Sequence, residues 1–382
     1  MDFLENKNFS TLNEEILTRK TDQEKLKYFK AVVARSDYND AKKGIRALAS
    51  YLLEKKLISM DEYVSLFGGH AVNYLSLDNS SNFYDLKLNT PIGKLLETYS
   101  KAKYGSIEDI RLLAEIVISN LSQALDYPDS HWRKMFEEAK LDGGNVVMMT
   151  TGWRNVPSTA NIIYEIVVEN INLKLANLGL PTIINIKLPR LAPACENYAS
   201  LSSEEREIVN VKQDHVIPAE NFYKWSSTHV IFGDDVLVTG ATADKVFFES
   251  MRNGAKSFQS IYPIAIDPVK AIKDASAEEK LNMSLIKEVL GYEVVTFLSH
   301  PDFRPVLRTL RLVFSENNIL AFEHYLPKLP LKNCLKLYIT ALGSDLLEDN
   351  RSKASLVILQ EYLKNLNILD ECGMSRNIHI NI

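Results

Sequence analysis

Cysteine is scarce in this chain of 382 residues: Cys195, Cys334 and Cys372 are too few and too scattered for a disulfide framework or a recognisable zinc site. That scarcity suits a reducing compartment. No stretch is both long and uncharged enough to span a bilayer, and Met1 to Lys7 carry acids where a secretory leader would have basic residues and an apolar run. The expectation is a cytoplasmic protein with no membrane contact. Blocks of like charge are missing too: 44 basic and 49 acidic residues are interspersed and leave a formal charge of −5. Such a pattern offers no broad electrostatic footprint for nucleic acid. What the chain does have is a 46% hydrophobic content, enough at this length for a large core and more than one layer or domain.

The patterning changes along the chain. Residues 22–143 read as almost entirely helical, with apolar residues at three- and four-residue steps in 39–57, 59–77, 91–103 and 106–125. Ser106 with Asp109 reads as a helix cap and first-turn acid. His131 and Trp132 read as packing or surface residues at a helix start. From residue 145 strands alternate with helices. Val146 to Met149 give an unbroken apolar strand at 145–150, Ile162, Ile163, Ile166 and Val167 give a helix face, and a second strand follows at 182–188. A third strand contains Val230, Ile231 and Phe232; a helix with Val246, Phe247 and Met251 ends at Gly254, and a fourth strand runs at about 258–266. This alternation predicts a parallel α/β sheet with right-handed crossovers and a ligand crevice at the carboxyl ends of its strands. Beyond Pro268 the reading is mainly helical at 303–315, 331–341 and 351–365, with a strand at Glu293 to Leu298. The expected organisation is a helical region 1–143, an α/β core 144–275, and a mainly helical extension 276–382 packed on that core.

Residues 229–242, His-Val-Ile-Phe-Gly-Asp-Asp-Val-Leu-Val-Thr-Gly-Ala-Thr, carry the most chemistry. A buried strand delivers Asp234 and Asp235 to the sheet edge. From Val238 to Thr242 small or hydroxylated residues then leave backbone N–H groups uncovered, and a helix beginning near Thr242 adds its positive end. A second loop, Thr150-Thr151-Gly152-Trp153-Arg154-Asn155-Val156-Pro157, precedes a helix capped at or near Ser158. It combines a glycine for close backbone approach, a permanently charged arginine and a helix terminus, a credible anion site.

The 230–242 segment resembles the phosphoribosyl diphosphate (PRPP) motif of type I phosphoribosyltransferases, in which hydrophobic residues precede two acids and a Thr-Gly-x-Thr loop. Val238 stands where many members carry a further threonine, so one hydroxyl is lost while a backbone donor remains. The resemblance spans about residues 145–267 and implies a phosphoribosyltransferase-type core. In it Asp234 and Asp235 would face the ribose hydroxyls and take part in holding Mg2+, and Val238, Thr239, Gly240, Ala241 and Thr242 would wrap the 5′-phosphate. Thr151, Gly152, Trp153 and Arg154 would hold the diphosphate, with Arg154 stabilising it as it leaves.

The resemblance also implies a closing loop in the long segment Pro189 to Ser227, where Arg190, Tyr198, Lys212 and His215 could contribute. It sets Tyr262 and Asp267 near the acceptor base, although in themselves they fit a core aromatic and a turn before Pro268. His229 reads as a structural histidine. The implied reaction transfers phosphoribose from PRPP to a small-molecule nitrogen acceptor. A non-catalytic sensor of PRPP or of a nucleotide is the alternative, and a homo-oligomer is left open.

Overall fold

The computed structural model describes residues 18, 20–33, 42–65, 69–78, 80, 82–86, 90–189, 227–267, 270–271, 274, 276–344 and 346–376. Arg190, Cys195, Tyr198, Lys212 and His215, and with them the expected closing loop, lie outside the described residues.

Among the described residues, eight strands form one mostly parallel sheet. Its parallel strands are β1 (Gly69–Leu77), β4 (Asn145–Trp153), β5 (Ile183–Pro189), β6 (Thr228–Gly233) and β8 (Ser257–Ile266). Two short antiparallel strands, β2 (Phe83–Asp85) and β3 (Thr90–Pro91), extend the β1 edge, and β7 (Val236–Leu237) pairs with β8 beyond the end of β6. The order is β3-β2-β1-β8-β6-β4-β5. Helices cover both faces, so the fold is α/β in three layers.

Alternation along the strands explains the layering. Val146, Met148 and Ile231 point to a core shared with α4 (Gly93–Lys103), α5 (Ile107–Asp126), α6 (His131–Leu141) and α7 (Thr159–Asn177). Val147, Met149, Val230 and Phe232 point the other way, towards α1 (Asp22–Val33), α2 (Lys42–Glu54), α3 (Met60–Ser65) and α8 (Ala241–Arg252). Val230, Ile231 and Phe232 are all fully buried. Each contributes about 1.5–3 kcal/mol of transfer free energy. Of the carboxyl-terminal helices, α9 (Ala277–Asn282) adds Ala277 and Leu281 to the first core, while α10 (Tyr292–Leu298), α11 (Leu307–Val313), α12 (Ile319–Tyr325), α13 (Leu331–Leu342) and α14 (Lys353–Asn365) supply most of a third core that also takes in Tyr104 and Val156.

Two helix–strand assignments are corrected. The helix read over 59–77 ends at Ser65, and Gly69–Leu77 is a strand that joins the main sheet beside β8. Its Tyr74 packs on one face while Leu75 and Leu77 pack on the other, a two-sided burial that mimics helical spacing in the sequence. Conversely, the strand read over Glu293 to Leu298 is helical: Val294, Phe297 and Leu298, three and four apart, are its buried residues. The helix read over 303–315 is shorter, since α11 begins at Leu307, after Pro305. Ser106 does cap α5, accepting the Asp109 N–H. Among the described residues, no helix is long and apolar enough to cross a membrane.

Candidate functional site at the strand-order reversal

From β4 the chain moves through α7 to β5 on one side, and then returns to β6 on the other side of β4. In open α/β sheets a crevice forms where the strand order reverses in this way, at the carboxyl ends. Met149 is level with Phe232 in the β4–β6 ladder, so the ends of the two motif-bearing strands lie side by side there.

The acid pair sits at a break in the sheet. On one side of it Gly233 pairs with Ile261 and on the other Val236 pairs with Ile264, so Tyr262 and Pro263 of β8 lie opposite Asp234 and Asp235. Pro263 has no N–H to donate, which frees the chain to kink. The kink is held from α7. The Tyr164 hydroxyl reaches the carbonyl oxygens of Asp234, at 3.1 Å, and of Ile261. Its ring lies against Gly233, where a Cβ atom would come within 2.6 Å. Only glycine allows that approach without a shift of the ring or strand.

The two carboxylates have different surroundings. Asp235 is only 5% exposed and turns inward. Its Oδ2 accepts from Lys103 Nζ at 2.6 Å and from the Tyr99 hydroxyl at 3.2 Å. Tyr99 and Lys103 are four apart on α4, so one helix face presents both. Asp234 is partly exposed, and its Oδ1 accepts the Asp235 N–H at 3.0 Å. Burial would raise the Asp235 pKa, but the Lys103 ammonium and its hydrogen bond bring it below the ordinary carboxylate value. Burial would likewise lower Lys103, and Asp235 more than offsets it. Asp234 goes the opposite way: burial first, then the Asp235 charge, hold its pKa well above the ordinary value. The pair therefore sets an inner acid with a lowered pKa beside an outer acid with a raised one.

The expectation that both acids face a ribose is corrected for Asp235, whose side chain belongs to the interior. As metal ligands the pair fits poorly. One Asp235 oxygen is committed to two donors, a lysine ammonium sits beside it, and among the described residues no group of three or more His, Cys, Asp or Glu side chains could hold an ion.

The turn after β7 matches its expected form more closely. Gly240 has φ +74°, a left-handed conformation that favours glycine, and is the N-cap of α8 without a side-chain cap bond. Having no side chain, Gly240 itself supplies no cap to the first-turn N–H groups. Val238, Thr239 and Thr242 are partly exposed around it; Ala241 opens the helix.

On the neighbouring strand, β4 runs further than the sequence pattern suggests. Thr151, Gly152 and Trp153 lie within it, at a register shift between Thr150 and Trp153, rather than in a loop. The turn begins at Arg154, which is partly exposed and whose N–H donates to the Val156 carbonyl at 3.2 Å. Ser158 caps α7 in a reciprocal pair with Asn161, whose side chain also ties Thr150. Trp153 carries the Lys187 ammonium 5.0 Å from its ring centroid. Lys187 and Arg304 both bind Glu165 at 2.7 Å; burial opposes ionisation there, but these cations bring the Glu165 pKa down to about 2. From the carboxyl-terminal layer, the Gly343 carbonyl accepts from Asn155 at 3.1 Å and braces the same turn.

The acceptor-side pair divides. Tyr262 is 1% exposed and packs edge-on to Phe232, which corrects its expected place near the acceptor base and bears out the core aromatic. Asp267 does lie at the carboxyl edge, with Ser76 donating to its Oδ2 at 2.8 Å. His229 is a buried structural residue, with Nδ1 2.8 Å from Ser257 Oγ, and burial lowers its pKa.

Lys103, Tyr99 and Tyr164 were not singled out from the sequence. Their signal was faint: Leu95, Tyr99 and Lys103 continue one stripe of α4, and a lysine in such a stripe needs a buried partner.

No protein-family model matches this chain, and no curated protein matches it. Fold and site together define a three-layer α/β protein whose acid pair and glycine turn follow β6 at the switch between β4 and β6.

Proposed function

We propose that this protein is a phosphoribosyltransferase of the type I kind, moving phosphoribose from PRPP to a nitrogenous base or related acceptor with release of diphosphate. The observation that carries the reading is a juxtaposition. The Asp234 edge and the Val238–Thr242 turn, with its left-handed Gly240, lie beside the end of β4 at the reversal of strand order.

In this reading the 5′-phosphate accepts N–H groups at the start of α8, where the helix dipole favours an anion. Asp234 takes the ribose hydroxyl edge, its carboxylate accepting from the sugar O–H groups. Arg154 balances the diphosphate charge as the glycosidic C–O bond breaks, and the acceptor nitrogen forms the new bond to the same carbon. Positioning and fixed charges supply most of the rate in such a scheme. PRPP would bring Mg2+ on its own diphosphate, where the ion neutralises the leaving group.

A second reading, a non-catalytic sensor of PRPP or of a nucleotide, is favoured by one observation: Asp235 is committed to Lys103 and Tyr99, which leaves a single acid at the crevice edge. Diphosphate release from PRPP, assayed across purines, pyrimidines and other nitrogen acceptors, separates the two. Release with one acceptor supports the transferase. PRPP binding without release across the panel favours the sensor.

A further inference from the structure

The acid pair already has a cation. Lys103 Nζ lies 2.6 Å from Asp235 Oδ2, with side chains 17% and 8% exposed, and the Tyr99 hydroxyl adds a second donor to the same oxygen at 3.2 Å. A buried carboxylate with these partners is neutralised and hydrogen-bonded before any ligand arrives. A divalent ion drawn to the pair would have to share Asp235 with the ammonium, or displace it from a largely buried site. Mg2+ also demands near-octahedral oxygen ligation and gives up water reluctantly. That leaves the ion one free carboxylate, Asp234, whose Oδ1 already accepts the Asp235 N–H at 3.0 Å, and one carboxylate is a small part of a six-oxygen shell. Lys103 comes from α4, far from the motif in sequence, so the α4–α5 layer completes the site rather than merely covering the sheet.

We propose that Lys103 is the resident cation of this site: it holds Asp235 from within, so that the ribose 5-phosphate portion of the ligand binds without a divalent metal. The inference rests on the ribose-phosphate site proposed above and adds the ligand class that the site takes unaided, a 5-phosphorylated ribose monoester. Metal dependence then belongs to the diphosphate alone. Lys103 acts here as a positioning residue. It fixes Asp235, and through the Asp235 N–H it fixes the carboxylate of Asp234 that meets the sugar.

The test is calorimetric titration of ribose 5-phosphate into the full chain, once with EDTA and once with Mg2+. The expected result is binding in both, with dissociation constants equal within about twofold. Lys103→Met should weaken ribose 5-phosphate by about tenfold or more in EDTA, while Lys103→Arg, which keeps the charge, should restore most of that loss. Binding that appears only with Mg2+ overturns the inference and leaves the ribose-phosphate site standing. Binding in neither condition overturns the site itself. Should Lys103→Met fail to fold, the comparison on the unaltered protein still decides the question.

Discussion

Lys103 and Asp235, 132 positions apart, meet at 2.6 Å behind the carboxyl edge of the sheet. This ion pair joins the helical layer before the core to the acid pair of the candidate site. Removing one partner leaves a buried charge uncompensated, so Lys103→Ala should lower unfolding free energy by about 3–5 kcal/mol. Asp235→Asn should cost a comparable amount. In a double-mutant cycle by urea denaturation the two losses should not add; simple additivity would mean that the pair does not interact.

Asp234 should make stability fall with rising pH. Its folded pKa lies well above the ordinary carboxylate value, so through the interval between those values the native state holds a proton that the unfolded chain has released. Stability contributed by Asp234 is therefore complete below the unfolded pKa and is lost as pH rises towards the folded one. Asp234→Asn should raise the urea midpoint at neutral pH and change it little in acid. Asp235 has the opposite sign: its depressed pKa gives stability above the unfolded value that disappears as pH falls. A neutral-pH midpoint lowered by Asp234→Asn would contradict the assigned roles.

Gly233 and Tyr164 set the kink that presents Asp234. With a Cβ only 2.6 Å from the ring, Gly233→Ala should destabilise the fold by about 1–3 kcal/mol through overpacking. It should also weaken ribose 5-phosphate binding, because the ring and strand must separate. Native-like stability and affinity together would show that the kink is unimportant.

Arg154→Ala should weaken PRPP by about tenfold or more, the worth of a charged hydrogen bond, while leaving ribose 5-phosphate within about twofold. Equal losses for both ligands would undo the division between a diphosphate end and a phosphate end.

Tyr262, being core, should behave as core. Tyr262→Ala should cost about 3–5 kcal/mol of stability. Tyr262→Phe should leave PRPP affinity and any acceptor turnover unchanged; a selective loss of turnover would return the residue to the acceptor site.

Strands β4, β5, β6 and β8 were legible because two-sided burial demands continuous apolar runs, as in Val146 to Met149 and Val230 to Phe232, whereas the two-residue β7 was not. The caps at Ser106 and Ser158 and the turn containing Gly240 were legible because their chemistry is local. β1 was not, since its Tyr74, Leu75 and Leu77 satisfy cores on both faces and their spacing passes for a helix. The turning of Asp235 away from the crevice was also hidden. It depends on Lys103 in α4 and on Pro263 across the sheet, and no reading of residues 229–242 alone contains either partner.

The most direct test is isothermal titration of PRPP with Mg2+ into the unaltered protein and into Asp234→Asn. A 5-phosphorylated ribose held between Asp234 and the Gly240 turn predicts saturable binding, weakened by about tenfold or more in the variant. An unaltered protein that gives no binding heat, or a variant whose affinity is unchanged, would contradict it.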